Sequence, residues 1–478
     1  MDHYSSATQL IEQLKSGAVS SAELVELFQK RYETQNEQWN AINSANFSEA
    51  LAYAKANGDA LKSTPFAGLP VTTKDGIHVA GLPTTGGMFA PEKCVMKKDG
   101  LLSQNIKAAG AVIIGKTNTS VANGDWQSNN PIFGRSLNPW NPEYTPGGST
   151  GGGAASLAAG MSALEFGSDI GGSIRIPAAF CGLYGHKPSA TVVPVSGHFP
   201  GGYTPNPAQH LAVQGPLARS ADDLALALDV ISCPEPIEAK GWQLSLPEAR
   251  HQKLTDYKVG FLKLPEWVEV EQSILDAQHK LKDKLISQGC TIIELDLEKQ
   301  FGDFKDYYKN YLITLQCIIG GGVSEEKRQN GAAKLMASGD EFLEAIATGL
   351  TCHASVFLKM IEVSEKYKSI WEAVYKEVDV IITPVTYTNA FKHDDSFLYS
   401  RFLTINDKPV PYYRLSFLPS LATFSGLPAT VFPTGETTEQ GLPIGLQAMG
   451  AYLEDKTSIG FCQLMEASFG GFSKPLLA

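Results

Sequence analysis

The chain is short of most things that would mark a binding or metal-dependent protein. Its seven cysteines (Cys94, Cys181, Cys233, Cys290, Cys317, Cys352 and Cys462) form no CxxC pair. There is no HExxH, and no tight group of Asp, Glu and His, so no metal centre is expected. An odd, dispersed set of cysteines predicts reduced thiols and a reducing compartment, hence a cytoplasmic protein. No uncharged apolar run reaches the ~18 residues of a spanning helix. The opening MDHYSSATQLIEQLKSG has no apolar core, so it does not read as a signal peptide. Positive charge is also scarce. Formal net charge is −11, which disfavours direct nucleic-acid binding, because phosphate contacts need a basic face. No lysine follows the glycines of the Gly147–Gly153 segment, so that segment does not read as a P-loop. What remains is 478 residues, 43% hydrophobic and 19% charged, enough for a large soluble core.

The local patterns predict a mixed α/β fold. Residues 5–16 carry Leu10, Ile11 and Leu14 on one helical face. A second helix starts near Ser20, where Ser20 and Glu23 have capping-box spacing, and a third covers 50–61. Strands are expected over 68–74, 111–114, 258–262, 291–295, 378–382, 426–433 and 441–447. Helices are expected over 101–109, 221–231 and 272–288, with a largely helical stretch across 300–376 and a long loop over 391–411. Helix followed by apolar strand is the grammar of an α/β sheet. The expected architecture is one α/β domain over 1–478, a single large mixed β-sheet surrounded by helices. It has N-terminal helices to about 61, a core at about 66–220 and a more variable helical region at about 300–420. A boundary near 235–250 is the alternative.

The stretch Tyr144–Pro177, YTPGGSTGGGAASLAAGMSALEFGSDIGGSIRIP, organises the rest. Two glycine-bracketed serines, Ser149 and Ser173, flank a run of small residues. Glycine permits close backbone approach and positive φ, so the run predicts a functional loop more than core packing. Gly147–Gly151 matches G-x-S-x-G, but the preceding Asn141–Pro146 cannot be the central strand that a nucleophile elbow requires. Nothing singles out His186, His198, His210 or His353 as a triad partner. A serine with a lysine base needs no histidine, provided burial lowers the lysine pKa. Lys74, Lys116 and Lys187 each follow a strand or turn, and spacing alone does not choose among them.

These segments resemble the amidase signature hydrolases over most of the chain. Gly147–Gly152, Gly167–Pro177, Gly68–Asp75 and Gly115–Asn118 each look like one of that family's shared stretches, and the two serines are 173 − 149 = 24 positions apart, as in the family. The resemblance implies a Ser-cisSer-Lys triad, with Ser173 as nucleophile, Ser149 as the bridging serine after a cis peptide bond, and Lys74 as base. It implies an oxyanion hole from the N–H groups of Ile170, Gly171, Gly172 and Ser173, and loop support from Asp169 and Arg175. Thr150 and Ile170 depart from the commoner serine and threonine. The implied activity is hydrolysis of a linear carboxamide through an acyl-serine, without metal or organic cofactor. Competing readings are the glutaminase subunit of a tRNA-dependent amidotransferase, an acyltransferase or amide synthase, and a non-catalytic binding protein. Trp126, Phe199 and Tyr203, with Phe133, Tyr412 and Phe417, are expected to wall an aromatic pocket. The residues leave oligomeric state open, a homodimer included.

Overall fold

The computed structural model describes residues 2–205 and 210–477. Eleven strands form one mixed sheet: β1 Ile42–Ala45, β2 Pro70–Lys74, β3 Val112–Thr117, β4 Glu165–Asp169, β5 Tyr184–Lys187, β6 Val213–Ala218, β7 Lys258–Leu262, β8 Thr291–Leu295, β9 Val380–Pro384, β10 Ala429–Thr437 and β11 Pro443–Met449. Their order across the sheet is β1-β3-β2-β4-β6-β5-β10-β11-β9-β7-β8. β2 runs parallel to both β3 and β4, and β7 runs parallel to β8 and β9. The other neighbours are antiparallel. β2, β4 and β6 are buried along their whole length.

The helices lie where the apolar periodicity puts them. Ala7–Ser16 and Ser21–Trp39 both begin with a complete capping box, Ser6 with Gln9 and Ser20 with Glu23, each of which satisfies two otherwise orphaned N–H groups. Ser220 caps Ala221–Ile231 through the Asp223 N–H. The 300–376 region contains the helices Phe304–Ile319, Glu325–Met336, Glu341–Leu350 and Ala354–Val374.

Several expectations are corrected. The 391–411 loop contains a hairpin, Phe402–Ile405 paired with Lys408–Pro411. Its two-residue turn, Asn406-Asp407, has φ of 49° and 63°, the signature of a primed turn. Pro409 and Pro411 disguise the strand, and a two-stranded ribbon tolerates them on its open edge. Strands β1, β4, β5 and β6 were not expected. β4 reads EFGSD, polar and broken by glycine, and is a strand only because β2 and β6 supply its partners. β9 starts two residues later than expected and takes in Pro384.

The cysteine expectation also changes. Cys317 and Cys352 are joined as a disulfide, with Cα atoms 6.6 Å apart, while the other five are free. The helices Phe304–Ile319 and Glu341–Leu350 pack on each other and bring together two positions 35 apart in sequence, a juxtaposition that spacing does not reveal. Among the described residues no helix is long and apolar enough to cross a membrane.

The small-residue run does build core. The helix Gly151–Ala158 is buried at every position and packs across the sheet. A Cβ on Gly152 would collide with the Asn118 backbone, and one on Gly153 would lie 2.5 Å from the Glu165 carboxyl. Gly152→Ala is therefore expected to destabilise the protein by about 1–3 kcal/mol through overpacking, read as a lower urea midpoint with unchanged slope.

Candidate active site

The site sits where adjacent parallel strands end together. Lys74 is the last residue of β2, and β4 beside it leads through Asp169 directly into the loop carrying Ser173. Ser149 precedes the helix that returns the chain to β4. Sites at the carboxyl ends of parallel strands follow from this construction, because the connecting loops gather there. The Gly148–Ser149 peptide bond is cis. Its surroundings are tight: a Cβ on Gly148 would lie 2.5 Å from the Asp125 carbonyl oxygen. The Ser128 hydroxyl bonds to the Gly147 carbonyl at 3.1 Å, and the Thr119 hydroxyl donates to the Ser149 carbonyl at 2.8 Å. The Thr150 N–H donates to the Ser173 carbonyl at 3.2 Å, so the two serine segments lie side by side.

Three buried lysines separate here. All three have pKa values lowered to about 7, chiefly by burial, so burial does not distinguish them, and their partners do. Lys116 Nζ donates to the carbonyls of Asp75 and Pro83 and to the Thr84 hydroxyl, each at 2.7 Å. Lys187 Nζ donates to the carbonyls of Pro188 and Leu427 at 2.9 and 2.8 Å. Each of these amines meets two carbonyls, which only accept, and Lys116 also lies 3.8 Å from the buried Asp75 carboxylate, so these contacts favour ammonium. Lys74 Nζ instead lies 2.6 Å from Ser149 Oγ and 3.0 Å from Ser168 Oγ. A hydroxyl can donate as well as accept, so it can deliver a proton to a neutral amine. Ser168 was not singled out from the sequence. Its one signal is its place in β4, one residue before Asp169.

Ser173 is 6% exposed. Its loop is held by a buried ion pair. Arg175 Nε and Nη2 reach the two oxygens of Asp169 at 3.0 and 2.9 Å, Nη2 also donates to Thr423 Oγ1, and Nη1 donates to the Pro419 carbonyl and Gln447 Oε1. All five guanidinium donors are thus used. Burial alone would raise the Asp169 pKa, but Arg175 and the Gly172 N–H outweigh it and hold it at about 2. This arrangement amends one sequence expectation. The Gly172 N–H donates to Asp169 Oδ1 at 2.8 Å, so it is not free to face a substrate oxygen. Of the four N–H groups named, those of Ile170, Gly171 and Ser173 have no acceptor among the described residues.

The expected pocket residues are placed unevenly. Trp126 adjoins the nucleophile loop and donates its indole N–H to the Gly171 carbonyl at 2.9 Å. Phe199 and Tyr203 are each 37% exposed. The Phe199 backbone bonds to Gly76 and His78 near the end of β2, whereas Tyr203 lies against Lys98. Tyr412 and Phe417 are buried packing residues, with the Tyr412 hydroxyl on Asp125. The histidines offer no triad. His186 is locked between Thr430 Oγ1 and Asp455 Oδ1, and His353 caps a helix. No histidine bonds Ser149 or Ser173 among the described residues. Within the same residues, no group of three or more His, Cys, Asp or Glu could hold a metal.

The mixed sheet gathers Lys74, Ser149 and the Ser173 loop where β2 and β4 end, and the family match places this protein among the hydrolases of amide carbon–nitrogen bonds. The family model described as Amidase matches residues 23–459, and the chain belongs to that family. It is 32% identical to a glutamyl-tRNA(Gln) amidotransferase component of Legionella pneumophila (strain Paris), over 95% of each chain. It is 29% identical to human fatty-acid amide hydrolase 2, over 98% of this chain and 90% of that one. The fold matches a bacterial aryl acylamidase of the amidase signature family with a TM-score of 0.77 at 23% identity, covering 98% of this chain and 97% of that one.

Proposed function

We propose that this amide hydrolase cleaves a small linear carboxamide, R–CO–NH–R′, through an acyl-Ser173 intermediate. The observation that supports it best is a fully buried Lys74 amine that faces two hydroxyls and, among the described residues, no carbonyl. In this reading Ser173 Oγ attacks the carbonyl carbon while its proton passes to Ser149 Oγ and the Ser149 proton passes to Lys74 Nζ. The tetrahedral oxygen is stabilised by the loop N–H groups, where each such donor is typically worth ~2.7–4 kcal/mol. On collapse the C–N bond breaks, the nitrogen takes the Ser149 proton, and Lys74 restores it. Water then attacks the ester carbon as its proton passes through Ser149 to Lys74. On collapse the C–Oγ bond breaks, Ser173 Oγ recovers a proton from Ser149, Lys74 restores the one Ser149 gave, and the acid is freed. Asp169 and Arg175 hold the loop and touch no reacting atom. No step calls on a metal or organic cofactor.

The test is intact-mass spectrometry with peptide mapping after treatment with a fluorophosphonate. One adduct on Ser173 is expected, absent in Ser173→Ala and slowed in Lys74→Ala. An adduct on Ser149 would refute the assignment. A second reading is motivated by the identity to the amidotransferase component, which would make the chain a glutaminase that needs partner proteins. Turnover of simple amides by the purified chain alone separates the two. An acyl-enzyme that prefers an amine acceptor to water would show as hydroxylamine-dependent hydroxamate formation.

A further inference from the structure

The helix Phe304–Ile319 turns three tyrosines, Tyr307, Tyr308 and Tyr311, toward the interior. The first two hydroxyls serve one neighbouring segment: Tyr307 bonds to the Leu421 carbonyl at 3.0 Å and Tyr308 to the Tyr413 carbonyl at 2.8 Å. The third does something different. Tyr311 donates to the carbonyl of Ile170 at 3.0 Å, across 141 positions of sequence. Ile170 is the first residue of the nucleophile loop.

A trans peptide is planar, and its N–H points away from its carbonyl. Fixing the Ile170 carbonyl therefore fixes the direction of the Gly171 N–H. The peptides that follow are already held. The Gly171 carbonyl accepts from Trp126 while the Gly172 N–H is spent on Asp169, and the Gly172 carbonyl accepts from the Ile176 N–H at 2.7 Å. The Gly171 N–H has no acceptor among the described residues and adjoins the loop's turn toward Ser173. The approach is close, since a Cβ on Gly171 would lie 3.1 Å from the Tyr311 oxygen. Tyr311 is fully buried. Burial, reinforced by Asp169, pushes its phenol pKa up, so it remains a neutral donor at working pH.

We propose that Tyr311 is a positioning residue for catalysis: its hydroxyl, through the Ile170 carbonyl, aims the Gly171 N–H at the oxygen of the tetrahedral intermediate, and Gly171 and Ser173, not Gly172, donate to that oxygen. The inference rests on the acyl-Ser173 reading. It predicts an effect confined to the transition state, because the loop contacts that oxygen most strongly once it carries charge.

The test uses a carboxamide substrate and the aldehyde that carries the same acyl group. Ser173 adds to the aldehyde carbon, its proton leaves through Ser149, and the resulting hemiacetal oxygen occupies the oxyanion position. Tyr311→Phe, which removes one oxygen, is expected to lower kcat about 10-fold with KM unchanged, short of the ~100-fold or more for deleting a donor outright. Aldehyde affinity should fall by the same factor. Tyr308→Phe, on the same helix but bonded elsewhere, should leave kcat and aldehyde affinity unchanged. Wild-type kcat and aldehyde affinity in Tyr311→Phe would overturn the proposal, as would equal losses in both variants. A measurement on the wild type needs no variant to fold: with ¹⁵N-glycine, aldehyde addition should move the Gly171 amide proton downfield and leave Gly172 in place. Movement of Gly172 instead would overturn it. If the wild type neither turns over amides nor labels at Ser173, the acyl-enzyme reading itself fails, and that is seen before any variant is made.

Discussion

Lys74→Ala is expected to reduce kcat/KM by about three orders of magnitude, within the range typical of losing a general base. Lys74→Arg should be as inactive. An arginine would keep the positive charge, but guanidinium does not lose its proton in a protein, so the pair of variants separates a base from a fixed cation. The pH profile carries the same information. An ordinary lysine, near 10.5, would be almost wholly protonated at neutral pH. Burial brings Lys74 to about 7 even though Asp169, Glu165 and Asp75 push the other way. The required form is the neutral amine, so kcat/KM should rise as pH passes through about 7 and level off above it. Steady-state rates from pH 5 to 9 measure this. Turnover by Lys74→Arg, or a profile flat from 5 to 9, would remove Lys74 as the base. Lys116 and Lys187 share its pKa but face carbonyls, so their loss should appear as lost stability.

Arg175→Met should cost about 3–5 kcal/mol of stability, because it strands a carboxylate in the interior. Asp169 would keep only its N–H donors from Gly172, Ile174 and Arg175. The double variant Asp169→Asn/Arg175→Met should recover part of the loss, since it removes the unpaired charge. The two residues touch, so their effects should not add. Thermal or urea unfolding of the three variants checks this, and strict additivity would contradict it. The pair also predicts acid sensitivity. The Asp169 pKa falls from 3.8 to about 2 on folding. Its contribution, on the order of 2 kcal/mol, is therefore complete above about pH 4 and is lost as pH falls toward 2.

Much of this protein was legible in its residues. Ser20 with Glu23, and Ser220 before an apolar run, mark helix starts because capping is local chemistry that a few adjacent residues decide. The α/β class follows from helical and apolar segments in alternation. Two serines set in glycine motifs, with a lysine segment upstream, resemble the shared stretches of the amidase signature hydrolases, and it is that resemblance that implies serine–lysine amide chemistry, since the residues alone leave three lysines open. The tertiary structure decided what depends on neighbours distant in sequence. β4 is a strand because β2 and β6 satisfy its backbone, not because EFGSD prefers one. Gly152 and Gly153 serve close packing of their helix against Asn118 and Glu165. Cys317 meets Cys352 only through helix packing. Lys74 is distinguished from Lys116 and Lys187 by what each amine faces. Asp169 takes the Gly172 N–H, and Tyr311 reaches Ile170. In each case the deciding term is a hydrogen bond or a desolvation cost set by side chains far apart in the chain, and no local pattern encodes it.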